Sequence, residues 1–440
     1  MQRSAGWARR GAVYAVSIIG AGALVAACGG SGSASTSGTS GTSGKTATSG
    51  SKTPVKVGYI VPLTGTAAAN GKDEENGFNL GLKHFGSTVD GHKITVKYFD
   101  SQMTPTTALS DAKKALKSTH VNVVEGPLLA NNIAATAPYV MSQGVPEDDL
   151  FLSSPTQMKD YQTAKLGFTS GWDAYQVGTE GAKWAYDTMH WHHVTTFADD
   201  YAFGWEDVGA FDKEFTKLGG TITTAIWPPS SQSDMSSYVS EIPSSTQAVF
   251  TELLGSQGVS FYSDMKSFGL KTKIPVLGFT TTVDQSVLAT ATVTAATGTN
   301  SYGVSQYCTD IPTKANQTFA SLYHSQYNSW PAYYSEAGYT KAEILVNALK
   351  ALTGTAKTEK KLAQAMLAVK ITAPRGPVSI TKTYYSPVQN AYICKVENKT
   401  GAARVVPIKT YKTVPPQGLL SKSTWSSTFV ANAKGRPATS

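Results

Sequence analysis

From residue 55 onward the chain alternates between two kinds of apolar pattern. Short apolar runs, bounded by turn residues, read as strands; longer stretches with apolar positions at helical spacing read as helices. Residues 55–60 form the first strand, and a loop over 62–71 follows. The next segment places Phe78, Leu82 and Phe85 on one helical face. Residues 94–100 alternate as a second strand, 106–118 read as a helix, and 121–125 form a third strand ending in Gly126-Pro127. Asn131 suits the cap of a helix running to Met141, and 150–153 complete a fourth strand. This βαβα order predicts a parallel sheet covered by helices on both faces.

The rhythm then starts again. Strands are expected at 168–170, 194–198, 221–227, 248–252, 274–279 and 298–307, with helices at 173–189 and from 204 to about Leu218. Later helices are expected at 313–327, 334–352 and 359–369, and late strands at 378–380 and 391–396. Two successive α/β runs predict two lobes, although no sequence repeat links them. The stretch from 416 to 440 has no periodicity and is expected to be a loose tail.

The N-terminus has a different organisation. Arg3, Arg9 and Arg10 precede an apolar stretch over 12–27, which ends Leu24-Val25-Ala26-Ala27-Cys28. That order is a secretion signal, and the apolar stretch is short for a membrane span. The Cys at the cut point resembles the bacterial lipobox, which implies a signal peptide over 1–27 and a lipid on Cys28. Residues 29–54 are almost wholly Gly, Ser, Thr and Ala. They form a flexible tether with an end-to-end distance on the order of 28 Å.

Composition narrows the function. The formal charge of +8 falls to +5 once the three leader arginines are removed, and the remaining lysines are scattered. No basic stripe is interleaved with aromatics, so nucleic-acid binding is not expected. Only Cys308 and Cys394 remain after Cys28; they either form one disulfide or stay as two buried thiols. They are too few for a structural zinc site, and no cofactor is expected. His190, His192 and His193 lack the i, i+4 spacing of a helical metal site. Glu147-Asp148-Asp149 reads as a solvated connection ahead of a strand. No nucleophile elbow, phosphate loop or dinucleotide fingerprint occurs.

The chain is instead rich in small polar and aromatic residues at predicted strand ends: 64–70, 126–131, 153–156, 201–203, 254–256 and 278–281. Open α/β sheets place ligands at such ends, and Asp199 and Asp200 lie at one of them. Loops of this kind offer N–H groups and hydroxyls for holding a small molecule.

These residues resemble the type I periplasmic binding proteins, specifically the branched-chain amino acid (Leu/Ile/Val) receptor family. The match runs in order from Val57-Gly58-Tyr59-Ile60-Val61-Pro62-Leu63-Thr64-Gly65, through Gly126-Pro127 with Ala137-Pro138, to Asp199-Asp200-Tyr201-Ala202-Phe203-Gly204. It continues with Phe268-Gly269-Leu270-Lys271 before Ile274-Pro275, then Tyr339 with Lys341-Ala342, and Gly376-Pro377-Val378. The resemblance implies two Rossmann-like α/β lobes joined by a three-crossover hinge. One lobe would comprise 55–167 with 310–373, the other 168–309 with 374–415. Ligand would bind between them, and the hinge would close on it.

Carried over by position, the ligand-binding candidates are Asn70, Ala130, Asn131, Ser153, Ser154, Thr156, Trp172, Phe203, Leu254, Phe279 and Thr280. The family pairs an acid with the ligand's ammonium near 278–280, and none stands there; Glu252, Asp199, Asp200 or Asp284 would have to replace it. An unpaired buried ammonium costs several kcal/mol, so an aromatic or apolar ligand with a carboxylate or amide is expected in place of an ordinary amino acid. The resulting reading is a monomeric, non-enzymatic, lipid-anchored solute-binding protein that delivers its ligand to an ABC permease and its ATPase. A ligand sensor with the same fold is the alternative; a cell-envelope hydrolase would need an activated nucleophile that the sequence lacks.

Overall fold

The computed structural model describes residues 52–152, 154–289, 300–355, 357–399, 402–416 and 433–434. Cys28, the leader, most of the tether and Ser153 lie outside the described residues.

The first sheet is built from β1 (Lys52–Val61), β2 (Thr88–Val89), β3 (His92–Asp100), β4 (Val123–Glu125), β5 (Glu147–Leu152) and β6 (Gly167–Asp173). Its order is β2-β3-β1-β4-β5-β6, parallel throughout except for the β2–β3 hairpin. The connecting helices are α1 (Ala68–Phe85), α2 (Pro105–Lys114), α3 (Ala130–Ser142) and α4 (Pro155–Ala164). Central strands of such a sheet are covered on both faces, which explains why β1 reads as a nearly continuous apolar run.

The chain next enters α5 (Ala174–Lys183), whose capping box pairs the Asp173 carboxylate with the Gln176 N–H at 3.0 Å. Then come β7 (His193–Ala198), α6 (Ala202–Lys217), β8 (Thr221–Ile226), α7 (Ser236–Val239), β9 (Ala248–Glu252), α8 (Ser256–Ser267), β10 (Val276–Phe279), α9 (Gln285–Leu288) and β11 (Ser301–Ser305). The return segment carries α10 (Lys314–Tyr327), α11 (Tyr333–Ala351) and α12 (Glu359–Ala368). The strands β12 (Lys370–Ala373), β13 (Gly376–Ile380), β14 (Pro387–Lys399), β15 (Ala402–Val414) and β16 (Ala433–Lys434) close the chain. The second sheet runs β12-β13-β14-β11-β10-β9-β7-β8-β16, with β15 paired to β14.

The return helices α10 and α11 pack on α1 of the first sheet, so the fold has two lobes with the chain passing between them. The α1–α11 packing is unusually close. A Cβ on Gly77 would lie 1.9 Å from the Ser335 carbonyl oxygen, and one on Gly338 would lie 2.2 Å from that of Glu74.

Where the chain crosses between lobes, the fully buried Arg375 acts as a hub. Its guanidinium donates to Gln389 Oε1 at 2.7 Å, to Glu336 Oε2 at 2.6 Å and to the Ser170 carbonyl. These partners lie on β14, α11 and β6, so one side chain ties the crossings at β6 and at 374–387 to α11. Cys308 and Cys394 form a disulfide with a Cα–Cα distance of 6.1 Å, joining the segment after β11 to β14.

The structure corrects two expectations. Glu147, Asp148 and Asp149 do not form a solvated connection; they open β5 and are fully buried. Lys341 of α11 makes this tolerable: its ammonium donates to the Asp148 carbonyl at 2.6 Å and lies 3.6 Å from Glu74 and 3.9 Å from Glu125. Asn131 does not cap α3; the cap position is Leu129. Most of the stretch expected to be a loose tail lies outside the described residues; within it Ala433–Lys434 pairs with β8 as a parallel strand. That pairing depends on backbone groups and leaves no trace in the hydrophobic pattern. The strands β12 and β15 were also missed, because both pair at sheet edges with little apolar alternation.

Candidate ligand-binding cleft

A cleft of about 360 Å³, counting its open mouth, lies between the lobes. The first lobe contributes Thr66, Met103, Leu129 and Asn131; the second contributes Asp199, Tyr201, Ser230, Leu254 and Gln257. Each follows the C-terminal end of a parallel strand: β1, β3 and β4 on one side, β7, β8 and β9 on the other. That is where open α/β sheets present their loops to a ligand.

The lobes are in contact around this cleft. Gly255, at φ +54, sits so near the first lobe that a Cβ there would lie 2.3 Å from the Thr66 carbonyl oxygen and 3.2 Å from Asn70 Oδ1. Only glycine meets both the positive φ and the close approach. Elsewhere the Tyr333 N–H of the first lobe donates to Asp284 Oδ1 of the second at 2.9 Å, and the Arg404 guanidinium lies 3.5 Å over the Trp330 ring.

Beside the cleft, the lobes share an aromatic cluster. Trp172 stands 4.8 Å from Phe279 and 5.4 Å from Phe203, between ring centroids, and Phe151 stands 4.5 Å from Phe203. Tyr201, on the cleft wall, is 6.0 Å from Phe203 and so links this cluster to the cavity. The Trp172 indole N–H donates to the Tyr333 hydroxyl at 2.5 Å.

Of the sequence candidates, the structure places Asn131 and Leu254 on the cavity wall. Asn70 is not on the wall; it lies beside Gly255 in the first turn of α1, with both amide atoms buried and unpartnered. Ala130 is buried in the first turn of α3. Ser154 caps α4 by accepting from the Gln157 N–H at 3.1 Å, and Thr156 is exposed on that helix. Trp172, Phe203 and Phe279 pack on one another as described. Thr280 directs its hydroxyl to Ser305 Oγ and Gln306 Oε1, at 3.3 and 3.2 Å. Thr66, Met103, Ser230 and Gln257 were missed because their loops carry no pattern that marks an inward-facing residue. Tyr201 fell inside a quoted motif but was passed over for Phe203.

The electrostatics of the second-lobe wall are unusual. Asp199 is almost completely buried, and neither carboxylate oxygen closes a well-formed hydrogen bond. Burial pushes its carboxyl up to about 8; the Gln257 side chain and Leu254 N–H pull it down, and Asp200 adds to the rise. Behind it, Glu252 Oε1 accepts from the Thr281 hydroxyl at 3.0 Å while Oε2 has no partner. Burial, then Asp199, holds the Glu252 carboxyl well above its ordinary range. Among the described residues no Lys, Arg or His lines the cavity. Among the described residues no cluster of side chains suits a metal ion, and no helix is long and apolar enough to cross a membrane.

This two-lobed fold with an interlobe cleft is that of a solute-binding protein. The chain belongs to the periplasmic binding protein family, whose sequence signature matches residues 54–402. Within it the chain stands with the type I, branched-chain amino acid branch. The Leu/Ile/Val-binding protein homolog 6 of Brucella abortus (strain 2308) is 26% identical over 355 residues, covering 78% of this chain and 87% of that protein. A solute-binding protein of an ABC transporter from Rhodopseudomonas palustris, solved with 3,4-dihydroxybenzoic acid, is 27% identical. It covers 83% of this chain and 99% of that one, with a TM-score of 0.77. A leucine-binding protein from Thermotoga maritima shares the fold at 18% identity and TM-score 0.70, covering 84% and 99%.

Proposed function

We propose that this protein captures a small organic ligand, foremost an aromatic acid, in the cleft between its lobes and delivers it to an ABC importer. The observation that carries this reading is the cavity itself: residues from both lobes line it, with polar loop groups beside an aromatic cluster. The dihydroxybenzoate held by the R. palustris relative supports the ligand class. The absence of an acid at 278–280 weighs against an ordinary amino acid held in the manner of the branch.

In this reading the lobes are 55–167 with 310–373 and 168–309 with 374–415, and the crossings that meet at Arg375 are the hinge. The lobe-spanning contacts at Gly255, Asp284 and Trp330 belong to the closed form. Cys28 carries the lipid that holds the protein to the outer face of the cytoplasmic membrane, and the partners are a permease and its ATPase.

A thermal-shift screen of amino acids, amides and aromatic acids tests the ligand class. The ligand is expected to raise Tm, because it binds the folded state alone. Selective stabilisation by micromolar leucine or valine, with no response to aromatic acids, would overturn the aromatic assignment; turnover of any ligand would end the pure-binding reading. Cys28→Ser is expected to move the protein from the membrane to the soluble fraction.

A further inference from the structure

The second lobe buries carboxylates that the protein leaves without a counter-charge. Asp199 is 1% exposed and lines the cavity, and neither of its oxygens closes a well-formed hydrogen bond, although the Gln257 side chain and the Leu254 N–H lie close by. Glu252, directly behind it, has one oxygen unpartnered, and Asp207 has both. None of the three belongs to an ion pair among the described residues. Buried polar groups in folded proteins are nearly always satisfied, so an unmet acceptor on a cavity wall points to a group supplied from outside. In the first lobe, Asn70 is also 1% exposed with both amide atoms unmet, at the point where Gly255 brings the lobes together. One unsatisfied side chain of the second lobe thus lines a cavity whose described walls include no Lys, Arg or His, and another of the first lobe lies at the lobe contact beside Gly255.

We infer that Asp199 accepts a hydrogen bond from a donor group on the ligand, a hydroxyl or an ammonium, and sorts ligands that carry the donor from those that lack it. This rests on the cleft being the ligand site. It moves the sorting acceptor from residues 278–280, where the branch keeps an acid, to the end of β7. Thr280 there donates its hydroxyl toward Ser305 and Gln306, and residues 278–280 offer no carboxylate. The cavity would receive the ligand with its donor toward the second lobe, while loop N–H groups and hydroxyls meet its acidic end. A hydroxyl needs only an acceptor at Asp199; an ammonium also needs its charge.

Two ligand pairs test this by calorimetry on the purified protein: 4-hydroxybenzoate against benzoate, and leucine against 4-methylpentanoate, which lacks the ammonium. The donor-bearing member of at least one pair is expected to bind about 10- to 100-fold more tightly. Asp199→Ala should level that pair to within about 3-fold. Asp199→Asn, which conserves shape and still accepts, separates the sources. It keeps the preference if the donor is a hydroxyl and loses it if the donor is an ammonium. Equal binding within both pairs, or an unchanged preference in Asp199→Ala, overturns the inference while leaving the cleft as the ligand site. Failure of all four compounds to bind overturns the ligand class and the inference together.

Discussion

The two lobes bury acids in opposite ways. In the first, Glu74, Glu125 and Asp148 surround the ammonium of Lys341, and Tyr59 donates to Glu74 at 2.8 Å. Burial works to lower the Lys341 pKa, but Asp148, Glu74 and Glu125 hold it above its ordinary value. In the second, Asp199, Glu252 and Asp207 lie together with no cation, and burial drives all three carboxyls upward. The first arrangement has a cation at its centre, although burial also raises the carboxyls of Glu74, Glu125 and Asp148 and leaves some of their oxygens without a hydrogen bond. The second is incomplete, and it is the one that reaches the cavity. An acidic cluster therefore has to be judged by whether its counter-charge is already present.

Removing the counter-charge of the first lobe should have the largest effect. Lys341→Met is expected to destabilise the protein by about 3–5 kcal/mol, because several buried carboxylates lose their cation. Urea unfolding measures this; a loss below about 1 kcal/mol would erase the contrast between the lobes.

Separating the lobes should have an intermediate effect. Gly255→Ala places a methyl against the Thr66 carbonyl at a positive φ, so the lobes cannot close fully. Ligand affinity is expected to fall about 10-fold, while the unfolding midpoint shifts little. Small-angle scattering should show a larger radius of gyration with saturating ligand than in the parent protein. An unchanged radius would mean that Gly255 does not mark the closing surface.

The smallest effect sharpens the comparison through pH. Asp199 has a folded-state pKa raised to about 8, against an unfolded value near 3.9. Between those values the unfolded chain holds fewer protons at this residue, so its contribution makes stability fall as pH rises, levelling above about 8. Asp199→Asn removes that contribution. Its stability relative to the parent should therefore increase from pH 4 to pH 8 by about 1 kcal/mol or more, then stay flat. Melting curves across that range measure the difference; a difference that shrinks with pH would show Asp199 ionised and paired. Glu252, Asp207 and Asp200 face the same region, so the parent's own slope includes their titration.

The α/β rhythm was legible because parallel strands buried on both faces are continuous apolar runs, as at 55–60 and 248–252. The run Glu147-Asp148-Asp149 misled for the same reason: charge reads as surface unless its partner is known, and Lys341 lies almost two hundred residues away in the chain. The cleft was legible as a set of strand ends but not as particular side chains. Leu254 and Asn131 were found from their places in an ordered motif. Thr66, Met103 and Gln257 depend on how the loops fold inward, and nothing in their local pattern records that. Asp199 is legible as an acid at a strand end and, like Glu252, as a substitute for a missing acid; the geometry separates the two, placing Asp199 on the wall and Glu252 behind it.

The bridge between Cys308 and Cys394 spans 86 positions of chain. That excursion takes in α10, α11 and α12, the return of the polypeptide through the first lobe, and then β12 and β13 at the edge of the second sheet. Its two ends are stapled at the base of the second. A protease that nicks the turn after α11 would therefore leave one covalent molecule, intact on a gel until a reductant releases the fragments. Exposed to an envelope's enzymes, such a protein can survive a severed backbone without shedding either half.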